Sequence, residues 1–233
     1  MSKFLKWLPL LGVLIVILLV IVTNMSYSLP TFDVKQEESI NYDKLKEIIE
    51  LLKDDEKKSS AQGELDKLYE GKTKDDIYYL ASAKITMEND NDVYAVSSLN
   101  QVKGRTLDYY NLRIRATAGE FFTQGKVPDG LLNTAVEAAS RYADNIDYQL
   151  LVGKLYYDKN NYTAALYYLD KALQIDEENV DANYYYALSI YILGEQEEGL
   201  NYMKKAQSLY KGEDKAFKQA MKDYLSIMKE GKR

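Results

Sequence analysis

The chain of 233 residues contains no cysteine, no histidine, three prolines and one tryptophan. Without cysteine there can be no disulfide, no thiol nucleophile and no lipid attachment through a thiol. Without histidine the usual imidazole base is missing, and with both types absent most transition-metal sites are excluded as well. A basic surface is also lacking. The net charge of -6 argues against nucleic acid, whose phosphates require one. Neither a catalytic set nor a metal or cofactor set is assigned, and the expectation is a protein that is not an enzyme.

Three short motifs do not change that. Gly71-Lys72-Thr73 resembles the end of a phosphate loop, but Asp66 stands where its first glycine belongs. The acidic stretch Glu88–Asp92 lacks the glycine and distal glutamate of a calcium loop. Asn161-Tyr162-Thr163 is a formal glycosylation sequon, relevant only in a eukaryotic secretory pathway. Carboxylates such as Asp176, Glu177 and Glu178 crowd at an expected helix end, where solvation accounts for them.

Charge is missing from one long stretch. No charged residue lies between Lys6 and Asp33, and Trp7–Val22 is apolar throughout. Extended to residues 1–25, the segment approaches the roughly 20 residues that cross a bilayer. An uncleaved anchor is expected, with a cleaved secretory signal as the alternative. The apolar run exceeds the roughly 7–15 residues of a signal core, and no Ala-x-Ala follows. Lys3 and Lys6 precede it and Asp33, Glu37 and Glu38 follow, so the N-terminus is expected in the cytoplasm and the bulk outside it. Residues 26–41 read as a stalk.

The rest is dominated by a period. Residues 146–179 and 180–213 align without gaps at an offset of 34. Gly153 falls on Ala187, Tyr157 on Tyr191, Ala165 on Gly199, Leu166 on Leu200, Tyr168 on Tyr202 and Ala172 on Ala206. Such a period marks stacked units that cannot bury their apolar faces alone. Small residues stand where two helices must approach, with Val152, Tyr156, Leu169 and Ile175 flanking them. Asp158–Asn161 divides the first copy into two helices, and Gly194-Glu195-Gln196 divides the second.

This pattern resembles the tetratricopeptide repeat (TPR) family. It reads Val152-Gly153-x-x-Tyr156, Ala165-x-x-x-Leu169 and Ala172, then Tyr186-Ala187-x-x-Ile190, Gly199-x-x-x-Met203 and Ala206. Gln149 and Asn183 replace the usual leading aromatic, and Glu177 and Lys211 the usual closing proline. Residues 109–145 form a worn third copy, with Gly119, Phe122, Leu132 and Ala138 in register and Pro128-Asp129-Gly130 as its turn. Residues 42–108 supply helical pairs, either degenerate repeats or non-repeat helices that cap the solenoid: Asp76–Glu88 with Val93–Val102, and Leu45, Ile48, Ile49, Leu52 with Leu65, Leu68, Tyr69 across a Lys53–Ser60 loop. Residues 214–233 read as a capping helix with Phe217, Ala220, Met221, Tyr224, Leu225 and Met228 on one face. The resemblance implies an all-α, right-handed solenoid of antiparallel helix pairs.

It also implies a concave groove lined by the first helix of each repeat. Carried onto this chain, the groove is Leu150, Lys154, Tyr157, Asp158, Tyr184, Leu188, Tyr191 and Ile192. The rival reading packs these groups against a neighbouring helix, the terminal one included. Many of the 22 tyrosines, Tyr156, Tyr168 and Tyr202 among them, fall on positions expected to be buried. Leu150 and Tyr185 occupy places where a carboxylate clamp would need polar groups, so a mostly apolar or aromatic peptide or partner helix suits the groove. The expected function is a membrane-anchored scaffold for protein partners in a bacterial envelope. A permanent subunit of a multiprotein machine and a carboxylate-dependent envelope enzyme are the alternatives.

Overall fold

A computed structural model of the protein describes residues 41–124 and 127–230, with side chains for all of these but 119–124. The expected anchor and, except for Asn41, the stalk lie outside the described residues. Among the described residues no helix is long and apolar enough to cross a membrane. The described part is all-helical, with eleven α-helices and no strand. It falls into two compact units, residues 41–124 and 127–230. The division lies inside the stretch 109–145 read as the worn repeat.

In the first unit α1 (Tyr42–Glu50) begins at Asn41, whose side chain accepts a hydrogen bond from the Lys44 amide. Its apolar stripe, Leu45, Ile48 and Ile49, is buried with Ala61 and Leu65 of α2 (Ala61–Leu68) and with Tyr69. The intervening loop contains two short 3-10 turns, Leu51–Lys53 and Lys58–Ser60. Leu52 and Leu68 are only half-buried. Gly71 ends this pair with φ +73° and leads, through an exposed Lys72 and Thr73, to the Asp75 cap of α3.

Helices α3 (Asp76–Glu88) and α4 (Asp92–Leu99) form a hairpin whose core includes Ala83, Ala95 and Leu99, all fully buried. α4 starts one residue earlier than expected and stops at Leu99. The main chain after it is held differently: the Asp76 carboxylate accepts from the amides of Lys103 and Gly104. α5 (Leu107–Gln124) packs against α3 and α4.

In the second unit α6 (Asp129–Arg141) precedes two hairpins and a final helix. Pro128 is the N-cap of α6, so Asp129 and Gly130 open the helix and do not form the expected turn. An acidic residue in the first turn complements the helix dipole, which favours the helical state there. The hairpins are α7 (Ile146–Asp158) with α8 (Tyr162–Ile175), and α9 (Val180–Ile192) with α10 (Gln196–Leu209). All four pairs of boundaries differ by 34 residues. α7 packs on α8, α8 and α7 on α9, α9 on α10, and α10 on α11 (Lys215–Glu230).

The caps repeat as well. Asn145 Oδ1 accepts from the amides of Asp147 and Tyr148 at the start of α7, and Asn179 Oδ1 accepts from Ala182 at the start of α9. At the hairpin bends Asn160 has φ +58° and Gly194 φ +108°. Each left-handed residue lets the next amide reach back, Asn161 to the Tyr156 carbonyl and Glu195 to that of Ile190. The α3–α4 bend is built alike: Asp90 has φ +56° and Asn91 reaches the Thr86 carbonyl.

Close contact explains the small residues. A Cβ on Gly153 would stand 2.7 Å from Leu169 Cγ, and one on Gly199 2.9 Å from the Ala187 carbonyl oxygen. Their counterparts Ala187 and Ala165 are fully buried. Among the larger groups, Val152 and Leu169 are buried, whereas Ile175 is 42% exposed at the end of α8. Tyr156, Tyr168 and Tyr202 are half-buried, not core. They pair at the edge, Tyr156 stacked on Tyr168 and Tyr186 against Tyr202. A phenol at the edge buries ring surface and leaves its hydroxyl in water.

Candidate partner-binding face

The eight residues expected to line a groove come from α7 and α9. The structure brings most of them together, but not as an open surface. Leu150, Lys154, Tyr184 and Leu188 are buried, Tyr157, Asp158 and Tyr191 are half-buried, and Ile192 is 48% exposed. Leu150, Tyr184 and Leu188 share one apolar cluster with Phe217, Met221, Tyr224, Leu225 and Met228 of α11. The open groove is therefore corrected to a covered face. The chain's own last helix covers Tyr184, while Lys154 is closed in by Asp181 and Tyr185 of α9 and Tyr191 lies against Gly199 of α10.

Aromatic geometry fixes how α11 lies. The Tyr184 ring meets Phe217 edge-on at 5.1 Å and Tyr224 at 6.0 Å. Phe217 and Tyr224 are seven residues apart, two helical turns, so both reach one ring from one face of α11. The phenols of Tyr157 and Tyr224 lie close enough to affect each other's ionisation, which sets α11 beside α7. Tyr157 also meets Tyr185 and Tyr162 edge-on at 5.4 and 5.5 Å. Burial raises the pKa of Tyr157, Tyr184 and Tyr185 well above that of an exposed phenol, and that of Tyr224 to about 12. All four stay neutral at ordinary pH.

Beneath these rings lies a charge. Lys154 is 1% exposed and donates to Asp181 Oδ2 at 2.6 Å, while its ammonium stands 4.8 Å from the centre of the Tyr185 ring. Burial lowers the Lys154 pKa, and Asp181 opposes that shift. Asp181 sits in the first turn of α9, where the helix dipole also favours its negative charge. Asp158, four residues after Lys154 on α7, is pushed up to about 7 by burial despite the lysine's attraction. Ion pair and ring together join α7 to α9 across the repeat boundary. A lysine so held is a structural element, with its donors directed inward and no route to a ligand in solution.

Asp181 and Tyr224 escaped assignment to this site from sequence. Asp181 had a usable signal. It follows Lys154 by 27 residues, one repeat less two helical turns, which places the two on facing parts of neighbouring first helices. No family model matches the chain, and no curated protein matches it significantly.

Among the described residues no cluster of three or more acidic side chains is arranged to hold a metal ion. Glu88 of the acidic turn pairs instead with Arg115 at 2.7 Å. Asn161 of the sequon is the N-cap of α8, accepting from the Ala164 amide.

Proposed function

We propose that this chain is a non-enzymatic TPR-like scaffold, anchored in a bacterial membrane through residues 1–25, with its helical solenoid on the extracytoplasmic side. It binds a protein or peptide partner and takes part in assembling or stabilising an envelope complex. The observation that carries this reading is the pair of hairpins whose boundaries and caps recur at 34 residues. Stacked hairpins of this kind serve recognition more than chemistry. The residue types missing from the sequence favour the same side.

Two measurements on the intact protein test it. Protease added to spheroplasts should remove everything beyond about residue 40 and leave an embedded stub, as the lysine asymmetry requires. Protection until lysis would reverse the orientation. In-cell photo-crosslinking from Ile192, exposed at the end of α9, should give a discrete adduct with one or a few proteins. No adduct from Ile192, or from the exposed Tyr167 on α8, would remove the scaffold reading.

A further inference from the structure

Tyr184 of α9 meets two rings of α11, a helix that belongs to neither repeat and packs chiefly on α10, and Leu150 and Leu188 of the first helices belong to the same apolar cluster. α11 starts independently of what precedes it. Its own Asp214 accepts from the amides of Ala216 and Phe217, so the helix carries its cap with it. The connector between Leu209 and Lys215 has no regular structure, and residues 211–214 are exposed. Within it Tyr210 packs on Phe217 at 5.0 Å, and its hydroxyl accepts from the Asp214 amide.

The attachment of α11 is almost wholly apolar. Phe217, Ala220, Met221, Tyr224, Leu225 and Met228 are each at most 5% exposed, and Lys215, Lys218, Lys222 and Lys229 all face solvent. Among the described residues no ion pair joins α11 to α7–α10. Its described contacts with the repeats are ring and aliphatic, of a kind that any helix with the same stripe can make. Chain connectivity favours α11 by an effective concentration that is on the order of millimolar for a short flexible link. A helix in solution can overcome that advantage with better contacts.

We propose that α11 is a displaceable occupant of the α7–α9 face, and that the partner taken there is an amphipathic helix of the same chemistry. This rests on the scaffold reading and names its ligand: aromatics at positions i and i+7, Met or Leu at i+4, i+8 and i+11, and a polar outer face. The aromatic pair seats on Tyr184. While α11 is docked the face is closed, so partner binding and α11 release are one event.

The test uses the full chain, in detergent where needed, and a fluorescent synthetic peptide of residues 214–230. Replacing Phe217→Ala and Tyr224→Ala together in the chain weakens its own helix and leaves the face intact. That variant should bind the peptide about tenfold or more tightly than the unaltered chain does, and adding Tyr184→Ala should abolish the gain. A helical variant that does not bind, or that binds equally a peptide carrying the same two alanines, overturns the proposal. Should the variant unfold, hydrogen exchange on the unaltered chain decides. Amides of α11 should exchange about tenfold or more faster than those of α9, and equal protection shows one cooperative core and overturns it. An unaltered chain found as a dimer with exchanged α11 helices also overturns the partner assignment. The crosslinking from Ile192 fails or succeeds independently of peptide binding, so the two readings can be separated.

Discussion

Gln149 and Asn183 occupy the same place in successive repeats and hold the chain in the same way. Gln149 Nε2 donates to the carbonyls of Ala139 and Ala143, each at 2.9 Å, where α6 ends and the turn to α7 begins. Asn183 Nδ2 donates to the carbonyls of Glu177 at 2.9 Å and Asn179 at 2.8 Å, in the turn before α9. Both side chains are fully buried. In both hairpins these residues fasten the connection by hydrogen bonds.

Gln149→Leu keeps much of the volume and removes both donors. Two carbonyls then lose their partners, and an unmet buried acceptor costs about 1–3 kcal/mol. The substitution should shift the urea midpoint downward by a corresponding amount without changing the slope. An unchanged midpoint would mean that water replaces the amide at no cost.

Gly199→Ala tests the close approach of α9 and α10. The added methyl would lie 2.8 Å from Tyr191 Cβ and 2.9 Å from the Ala187 carbonyl oxygen. Neither is a flexible tip, so the helices must separate. Overpacking of this kind costs about 1–3 kcal/mol. Thermal unfolding of the purified chain should report the loss, and an equal or higher melting temperature would show that the hairpin adjusts freely.

The two ends of the buried ion pair should respond differently. Lys154→Met removes the buried charge and keeps an apolar stem, a change that is often neutral or stabilising when an ion pair is replaced by packed apolar groups. Asp181→Asn leaves the ammonium without its main partner. Breaking a buried pair costs about 3–5 kcal/mol, and less here because the Asp181 side chain keeps 27% of its surface in water. The expected order of stability is Lys154→Met above Asp181→Asn, measured by chemical denaturation at pH 7. The reverse order would show that the charge itself holds α7 to α9.

Asp158 gives a pH dependence. Its pKa rises from 3.8 in the unfolded chain to about 7 in the fold, so folding takes up a proton between these values. The stability it contributes is complete below pH 4 and is lost as pH rises through 7. Lys154, Tyr157 and Tyr185 interact with it electrostatically. Subtracting the denaturation profile of Asp158→Asn from that of the parent isolates the carboxyl. The variant should gain on the parent steadily between about pH 4 and pH 7 and level off above that, and parallel profiles would show that the group titrates normally.

Local signals were legible in the sequence wherever they were periodic or conformational. The offset of 34 anticipated both hairpins, and the Asp158–Asn161 and Gly194–Gln196 breaks fell where the helices end. Asp76–Glu88 was read with its observed limits. Edge and core were less legible. Tyr156, Tyr168 and Tyr202 have the spacing of buried groups, yet their phenols lie half in water, because periodicity gives a direction on a helix and not the depth of what lies in that direction.

By itself the sequence determined the helical period, the turn residues that interrupt it and the small residues that permit close contact, since each follows from backbone geometry within one repeat. Only the tertiary structure decided which apolar face covers which. The stripe on α11 and the aromatics of α7 and α9 could each be read as unpartnered surfaces. That they cover one another, closing Tyr184 beneath Phe217 and Tyr224, depends on where a five-residue connector lets the last helix turn. The hydrophobic effect requires that each face be covered but is indifferent to the partner, so the choice is made by chain reach and ring geometry in three dimensions.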